Sequence, residues 1–537
     1  MSGVALSLSR GTDRRVVNPW FIALAVVIPT FMEVVDTTVA NVALRYISGG
    51  LSAAVTDSEW IITSYLAANA FILPITGWLS GHFGRRNYFL LSIAVFTGAS
   101  MLCGMASSLP ELIMFRIIQG LAGGGLQPSS QGILLDAFPP EKQGAAQTLF
   151  GVAALLGPVV GPTLGGWLVV TYDWRWIYYI NVPVGIVGFL ACYVLLEDPD
   201  YLKQQRLEYK KRPLNLDGIG LGLLALVIAS WEVLISKGQE WNWFGDPFRR
   251  IQMLSVVFVL GLGGLIWREL TFKSPVINFR VLRDRNFAVS CFIMFIAFAV
   301  LYGSSISLPG LLQTLMGYDA YKSGLVLAPG GFSSIMMMIV VGILLGRAVD
   351  ARWLIASGLI VVAASNWWMA HLNTQVDQWQ VIAPRLVLTA GLGLIFAPLS
   401  VAAFITIPLH LRGAAVGLLA LLRNEGGSFG TSMSQTIQER RLQFHTERLG
   451  EFLDPLNPEV TSFMEQARAL YLQQTGDAVA ANQMALQTLA NLRDQQAAAL
   501  SYFDIFWVAA VLGVIVTLLV PLMKRSVAEK GKHVGAE

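Results

Sequence analysis

The sequence predicts an all-α polytopic membrane protein, and three observations carry that reading. Of its 537 residues, 55% are hydrophobic and only 13% are charged, against about 25% charged in an ordinary soluble domain. Mean hydropathy is +0.59. Fourteen segments are apolar over roughly the 20 residues that a helix needs to cross the hydrocarbon of a bilayer. So few charges cannot solvate a soluble surface of this size. A water-soluble enzyme, a disordered chain and a nucleic-acid binder are thereby excluded.

In chain order the first segment is 19–44. It is too long for a cleaved signal peptide, contains Glu33 and Asp36, and precedes no small-residue cleavage site, so it is expected to remain as a helix. Segments 60–80, 88–107, 109–134, 145–170 and 176–196 follow. Next come 217–236 and 250–268, between two basic linkers, and then 287–314, 323–346, 353–372, 381–407, 413–435 and 503–523. An even number of spans puts both termini on one side. That side carries 23 Lys and Arg, including Arg10, Arg14, Arg15, Arg85, Arg86, Lys142, Arg347, Arg352, Arg412, the linkers Lys203–Arg212 and Arg268–Arg285, and the tail Lys524–Lys532. The short opposite loops carry 6: Arg45, Arg175, Lys237, Arg249, Arg250 and Lys322. The positive-inside bias therefore places both termini in the cytoplasm.

Residues 437–502 break the pattern. They are polar, rich in Gln and Ala, and fall between the last two spans on the outer side. Glu439–Leu449, Ser462–Gln474 and Ala478–Leu500 read as helices. A loop this long with its own secondary structure reads as a partner-docking element, with a merely solvated loop as the alternative.

Charges inside a membrane cost roughly 2.5–3.5 kcal/mol each on insertion scales, so each needs a partner, a wet cavity or a task. Five stand out: Glu33, Asp36, Arg116, Arg423 and Glu425. Glu33 and Asp36 share a face of the first helix. Arg116 enters from the outer side at a matching depth, and Gln119 lies one turn further. Two close carboxylates in a partly dry site cannot both ionise easily, and would titrate as a coupled unit able to take up and release protons. A static ion pair is the alternative. Arg423 and Glu425 are two apart and face different neighbours. Arg385 is expected to snorkel to the interface. Asn41, Asn69, Gln119 and Gln127, with Arg423 and Glu425, are the candidates to line a substrate cavity.

In 157–167, GPVVGPTLGGW, the residues Gly157, Gly161 and Gly165 recur every four positions and make a smooth face for close helix approach. Pro158 and Pro162 favour a bend. A bent, flat helix suits an interface that rocks, although tight static packing would use it too.

These strings together resemble the major facilitator superfamily, and more narrowly its fourteen-helix drug:proton antiporters of the EmrB type. FMEVVDTTVANVAL (31–44) is similar to that subfamily's first-helix signature. GWLSGHFGRR (77–86), with Gly77, Gly84, Arg85 and Arg86, resembles the superfamily's loop 2–3 motif. RIIQGLAGGG (116–125), the glycine run 157–166 and WRWIYYINVPVG (174–185) are similar to the fourth-, fifth- and sixth-helix motifs. The loop motif usually has an acid where this chain has Gly81, so its gating contact is expected to be missing or made differently.

The resemblance implies two six-helix bundles, 1–196 and 287–523, around a central cavity. Residues 197–286 would be a linker and inserted helix pair, and 524–537 a cytoplasmic tail. It implies a bacterial inner-membrane exporter of amphipathic or cationic drugs. Protons would be coupled through Asp36 and tuned by Arg116, with no cofactor or metal. It also implies an EmrA-like periplasmic adaptor and an outer-membrane channel as partners, besides membrane lipids. Export of a natural amphiphile, such as a fatty acid or siderophore, is the alternative.

Other classes find little support. No HExxH and no GxxxxGK[ST] string occurs. GGSFG (426–430) matches GxSxG, but that motif needs a strand–turn–helix elbow and here lies in a helix. Filter repeats and a signalling domain, the marks of a channel or receptor, are also missing. Cys103, Cys192 and Cys291 all lie in apolar stretches and read as packing residues.

Overall fold

The computed structural model describes residues 18–199, 202–203, 217–272, 275, 277–318, 320–347, 349–373, 377–408 and 411–526, with the side chains of residues 55–56, 140–141, 155, 158–159, 162 and 320–321 left aside. Arg10, Arg14, Arg15, most of the linker Lys203–Arg212, the tail beyond residue 526, and the side chains of Pro158 and Pro162 lie outside the described set.

The described chain is helical, with no strand. Helix α1 (Pro19–Gly50) starts where Asn18 Oδ1 accepts from the Trp20 N–H at 3.0 Å, with Pro19 in the first turn. That is the position where a missing N–H costs nothing. Helix α2 (Trp60–Phe83) leads to Gly84, whose φ of +87° makes the turn into α3 (Arg85–Met105), a conformation that favours glycine. Helices α4 (Leu109–Gly123) and α5 (Leu126–Ala137) are two parts of one crossing, broken at Gly124–Gly125. Helices α6 (Pro140–Thr171) and α7 (Trp176–Leu195) follow.

Helices α8 (Gly218–Lys237) and α9 (Arg250–Thr271) pair with each other. Then come α10 (Arg285–Thr314), α11 (Ala320–Gly346), α12 (Ala351–Ala370) and α13 (Gln378–Phe404). Asp377 and Gln380 start α13 with a capping box, two reciprocal bonds that satisfy otherwise orphaned N–H groups. Helices α14 (Arg412–Gly450), α15 (Pro458–Thr475) and α16 (Ala478–Thr517) complete the chain.

Eleven described helical segments are long and apolar enough to cross a membrane, which makes the protein a multi-pass membrane protein. The expected spans 109–134, 145–170 and 413–435 fall outside that set, although all three are helical and packed in the same bundle. Helix α9 has only 17% of its apolar window buried. It presents Val256, Val259, Leu260 and Trp267 outward, an apolar face that suits lipid better than water.

The polar segment 437–502 is a continuation of the membrane helices rather than a separate loop. Helix α14 has 39 residues and α16 has 40. At about 1.5 Å per residue each approaches 60 Å, roughly twice the hydrocarbon thickness. Both run on past the bundle, and α15 packs on the extension of α16.

Helix α1 packs on α6 and α7, and α4 on α2 and α3. In the second half α10 packs on α14, α12 on α13 and α16, and α11 on α13. The halves meet where α6 crosses α11 and where α14 crosses α2 and α5. The glycine face is used for close packing of α6 on α1. A Cβ at Gly157, Gly161 or Gly165 would strike Val34, Thr38 or Val39 of α1. These glycines therefore bring α6 onto α1 within one half. The interface between halves uses Gly144 and Gly151 of α6, against Leu345, Met338 and Phe396.

Candidate functional site

A cavity of about 500 Å³ lies between the halves. Its floor holds Glu33, Asn69, Leu73, Gln127, Ala420 and Arg423, and its walls rise past Asn41, Tyr302 and Ser305 to Arg45, Glu59, Gln313 and Gln435. Its lining extends to the end of the bundle that carries Arg45.

The opposite end is shut. A Cβ at Gly77 of α2 would lie 2.7 Å from the Gly413 carbonyl carbon of α14, and one at Gly417 2.6 Å from the Leu73 oxygen. Only backbones without side chains approach so closely. Arg85 donates to the Gly132 carbonyl at 3.0 Å and also to Asp136 of α5. Arg412, at the start of α14, reaches the same Asp136 at 4.0 Å. Asp136 thus supplies an acid to the arginine of the loop motif, which has Gly81 in place of the usual one. Arg86 donates to the Tyr193 carbonyl at 2.8 Å, and its own N–H bonds Asp198 at 2.8 Å.

Two carboxylates with separate partners occupy α1. Asp36 is enclosed: Arg116 Nη1 donates to Oδ2 at 2.6 Å, Asn181 Nδ2 to Oδ1 at 2.6 Å and Gln119 Nε2 to Oδ1 at 3.1 Å. The side chains of Arg116 and Asp36 are 0% and 1% exposed. Arg116 also bonds Gln119 Oε1 at 2.7 Å, and its guanidinium lies 4.0 Å from the Tyr65 ring centre. Charge pairing, charge-assisted hydrogen bonds and an aromatic face together offset the desolvation of both ions.

Glu33 faces the cavity instead. Tyr65 Oη donates to its Oε1 at 3.3 Å, Asn69 Nδ2 to the same oxygen at 3.0 Å, and Gln127 to Oε2. Gln127 turns its oxygen to Arg423, so one amide bridges the acid of the first half to the cation of the second. Arg423 lies 5.6–5.9 Å from the ring centres of Phe150, Phe298 and Phe396.

The structure thus brings together Asp36, Arg116 and Gln119, and separately Glu33, Asn69, Gln127 and Arg423. Asn41 lines the cavity wall, its Nδ2 bonded to the Thr37 carbonyl at 3.2 Å. Three expectations are corrected. Gln119 is 0% exposed and serves Asp36, so it is not a cavity residue. Glu425 lies behind the wall, facing Glu232 of α8. Arg385 does not snorkel: it is 1% exposed, and its one partner among the described side chains is Ser305 at 3.3 Å. Residue reasoning also missed Tyr65, Asn181, Asp136 and Glu232. Asn181 lies within the sixth-helix string, and Glu232 is a lone acid in an apolar run, so both carried a signal.

Among the described residues no group of three or more His, Cys, Asp or Glu side chains gathers at one point. A cavity lined by both polar and apolar side chains between two helical halves, shut at one end by backbone contact, defines a secondary transporter. The sequence profile of the Major Facilitator Superfamily matches residues 26–431, and the chain belongs to that family. It is 35% identical to the multidrug export protein EmrB of Haemophilus influenzae over 93% of this chain and 94% of the relative. It is 32% identical to the fatty acid resistance protein FarB of Neisseria gonorrhoeae, covering 94% and 96%. Among solved structures, the proton:xylose symporter XylE aligns with a TM-score of 0.57 at 14% identity over 93% of this chain and 94% of that one, a likeness of fold.

Proposed function

We propose that the chain exports amphipathic or cationic drugs from the cytoplasm across the bacterial inner membrane in exchange for protons. The observation that carries this reading is the buried Asp36, held by one guanidinium and two amides beside the cavity. Protonating Asp36 removes its charge and loosens its hold on Arg116. Arg116 rests on Tyr65, and Tyr65 donates to Glu33 at the cavity floor. A proton at Asp36 is therefore felt where substrate sits. The proton gradient supplies the energy, and no cofactor takes part. Similarity to EmrB supports drugs as the substrate class.

In this reading the bundles 1–196 and 287–523 rock about the cavity, with 197–286 as the inserted pair. Both termini face the cytoplasm, and the Arg45 end faces the periplasm. The extensions of α14 and α16 with α15 then stand on the side where an EmrA-like adaptor, leading to an outer-membrane channel, would dock. Similarity to FarB and the cation Arg423 on the floor favour a second reading, an acidic natural amphiphile such as a fatty acid.

Asp36→Asn in proteoliposomes tests the proposal. Export driven by a pH gradient is expected to stop while the variant stays folded and inserted. Export at the rate of the unaltered chain would overturn it. Replacing residues 451–477 by a short Gly/Ser linker is expected to abolish adaptor capture and to leave liposome transport intact. Undiminished capture would remove α15 from that role.

A further inference from the structure

Glu232 of α8 is 0% exposed and Glu425 of α14 is 6% exposed. The two carboxyl groups face each other where α8 packs on α14. Ser428 lies beside Glu232 and Trp231 beside Glu425, yet among the described residues no donor is aligned on any of the four carboxyl oxygens. Around them the walls are aromatic: Trp231 packs on Phe258 at 5.1 Å between ring centres, and Phe295 on Phe429 at 5.5 Å.

The neighbouring charges are engaged elsewhere. On α14, Arg423 donates to Gln127. On α8, Lys237 bonds Glu59 at 2.6 Å and also Glu240. On α9, Glu269 accepts from the Ile277 N–H at 3.1 Å, and Arg268 pairs with Asp217. On the side of α2, the described charge facing α8 is Glu59, just before that helix, and it is already paired with Lys237.

Two carboxylates cannot both stand ionised there: burial penalises each anion and the like charge of the other adds to it. A proton between them turns one acid into a donor and the other into its acceptor, which supplies the missing partner. We infer that Glu232 and Glu425 form a second proton-binding site, which holds α8 to α14 while the cavity is open at the Arg45 end. This rests on the proton-exchange reading above.

The position of α8 gives the site its consequence. One turn beyond Glu232, Ser236 lines the cavity, as do Asn424 and Ser428 of α14. The Ser432 hydroxyl of α14 donates to the Ile235 carbonyl of α8, whereas Lys237 ties the same end of α8 to Glu59, just before α2. Helix α8 thus grips both halves at their open end. Losing the proton leaves two anions in contact and drives α8 off α14, which frees the halves to move against each other.

The test is pH-difference infrared spectroscopy on the purified full chain in lipid vesicles, reading the C=O stretch of protonated carboxyl groups. A band component present in acid and lost in alkali is expected in the unaltered chain. It should persist in Asp36→Asn and vanish in both Glu232→Gln and Glu425→Gln. An amide at either position can still donate to the remaining carboxylate, so both variants are expected to fold, and one suffices. Spectra of the two Gln variants identical to that of the unaltered chain would overturn the site. Loss of the component on exchanging potassium for sodium would assign it to a metal cation and also overturn it.

Hydrogen exchange of residues 230–237, corrected for the intrinsic effect of pH, tests the latch. About tenfold faster exchange is expected in alkali than in acid, a difference that the Glu232→Gln/Glu425→Gln double variant abolishes. Exchange independent of pH in the unaltered chain would overturn the latch. The proton-exchange reading fails separately, on pH-driven export that survives Asp36→Asn, and the infrared result stands either way.

Discussion

The guanidinium of Arg116 lies 4.0 Å from the centre of the Tyr65 ring, and the hydroxyl of that ring donates to Glu33 at 3.3 Å. One aromatic side chain therefore joins the enclosed Arg116–Asp36 pair to the acid on the cavity floor. The two carboxylates of α1 are bridged in space by this side chain of α2, although each keeps its own set of hydrogen bonds.

Arg116→Ala strands Asp36 as a buried anion, and breaking a buried pair from one side costs about 3–5 kcal/mol. Thermal unfolding of the purified protein is expected to show that loss. The Arg116→Ala/Asp36→Asn double variant removes the stranded charge and is expected to recover more than half of it. Equal losses in the single and double variants would show that the pair is not the source.

Tyr65→Phe keeps the ring under Arg116 and deletes one hydrogen bond to Glu33, a loss of about 1 kcal/mol. Stability is expected to change little, while pH-gradient-driven export falls several-fold. Unchanged export would remove Tyr65 from the link between proton and cavity.

Gly161→Val puts two methyl groups into Thr38 of α1. Overpacking of this kind costs about 1–3 kcal/mol, and the yield of monodisperse protein in detergent should fall accordingly. Gly49 has open space at its Cβ, so Gly49→Ala should leave the yield unchanged and serves as the control.

Gly77→Leu cannot coexist with the approach of α2 to Gly413. The closed end is expected to open, so that a cysteine at Ala420 on the cavity floor becomes reactive to a thiol reagent from the Arg85 side. Asp136→Asn weakens the hold on Arg85 and Arg412 and is expected to shift labelling the same way, by a smaller factor. Labelling that neither substitution alters would show that this end is not a gate.

Arg423→Ala removes the cation that Gln127 links to Glu33. Binding of an acidic amphiphile is expected to weaken about tenfold or more, equivalent to about 1.4 kcal/mol, and binding of a cationic dye to hold or strengthen. Calorimetric titration of one probe of each kind separates the two substrate readings.

Some of this was legible before folding because it depends on local order alone. Hydropathy over a membrane thickness marks helices, since backbone groups in lipid must bond within their own segment. Rise per residue placed Arg116 level with Asp36, and the pair is formed. The polar stretch 437–502 read correctly as helical but wrongly as separate, because hydropathy reports the solvent around a helix and not its continuity.

What the sequence determined by itself is the membrane class, the order of helices and the few charges that need an explanation. Tertiary structure alone decided what each charge meets. Gln119 turns to Asp36 instead of the cavity, Arg385 is buried instead of snorkelling, and Glu425 finds Glu232 on a helix nearly two hundred residues away. The reason is geometric. A helix presents every direction within one turn, so the partner of a side chain is settled only by how neighbouring helices are rotated and packed.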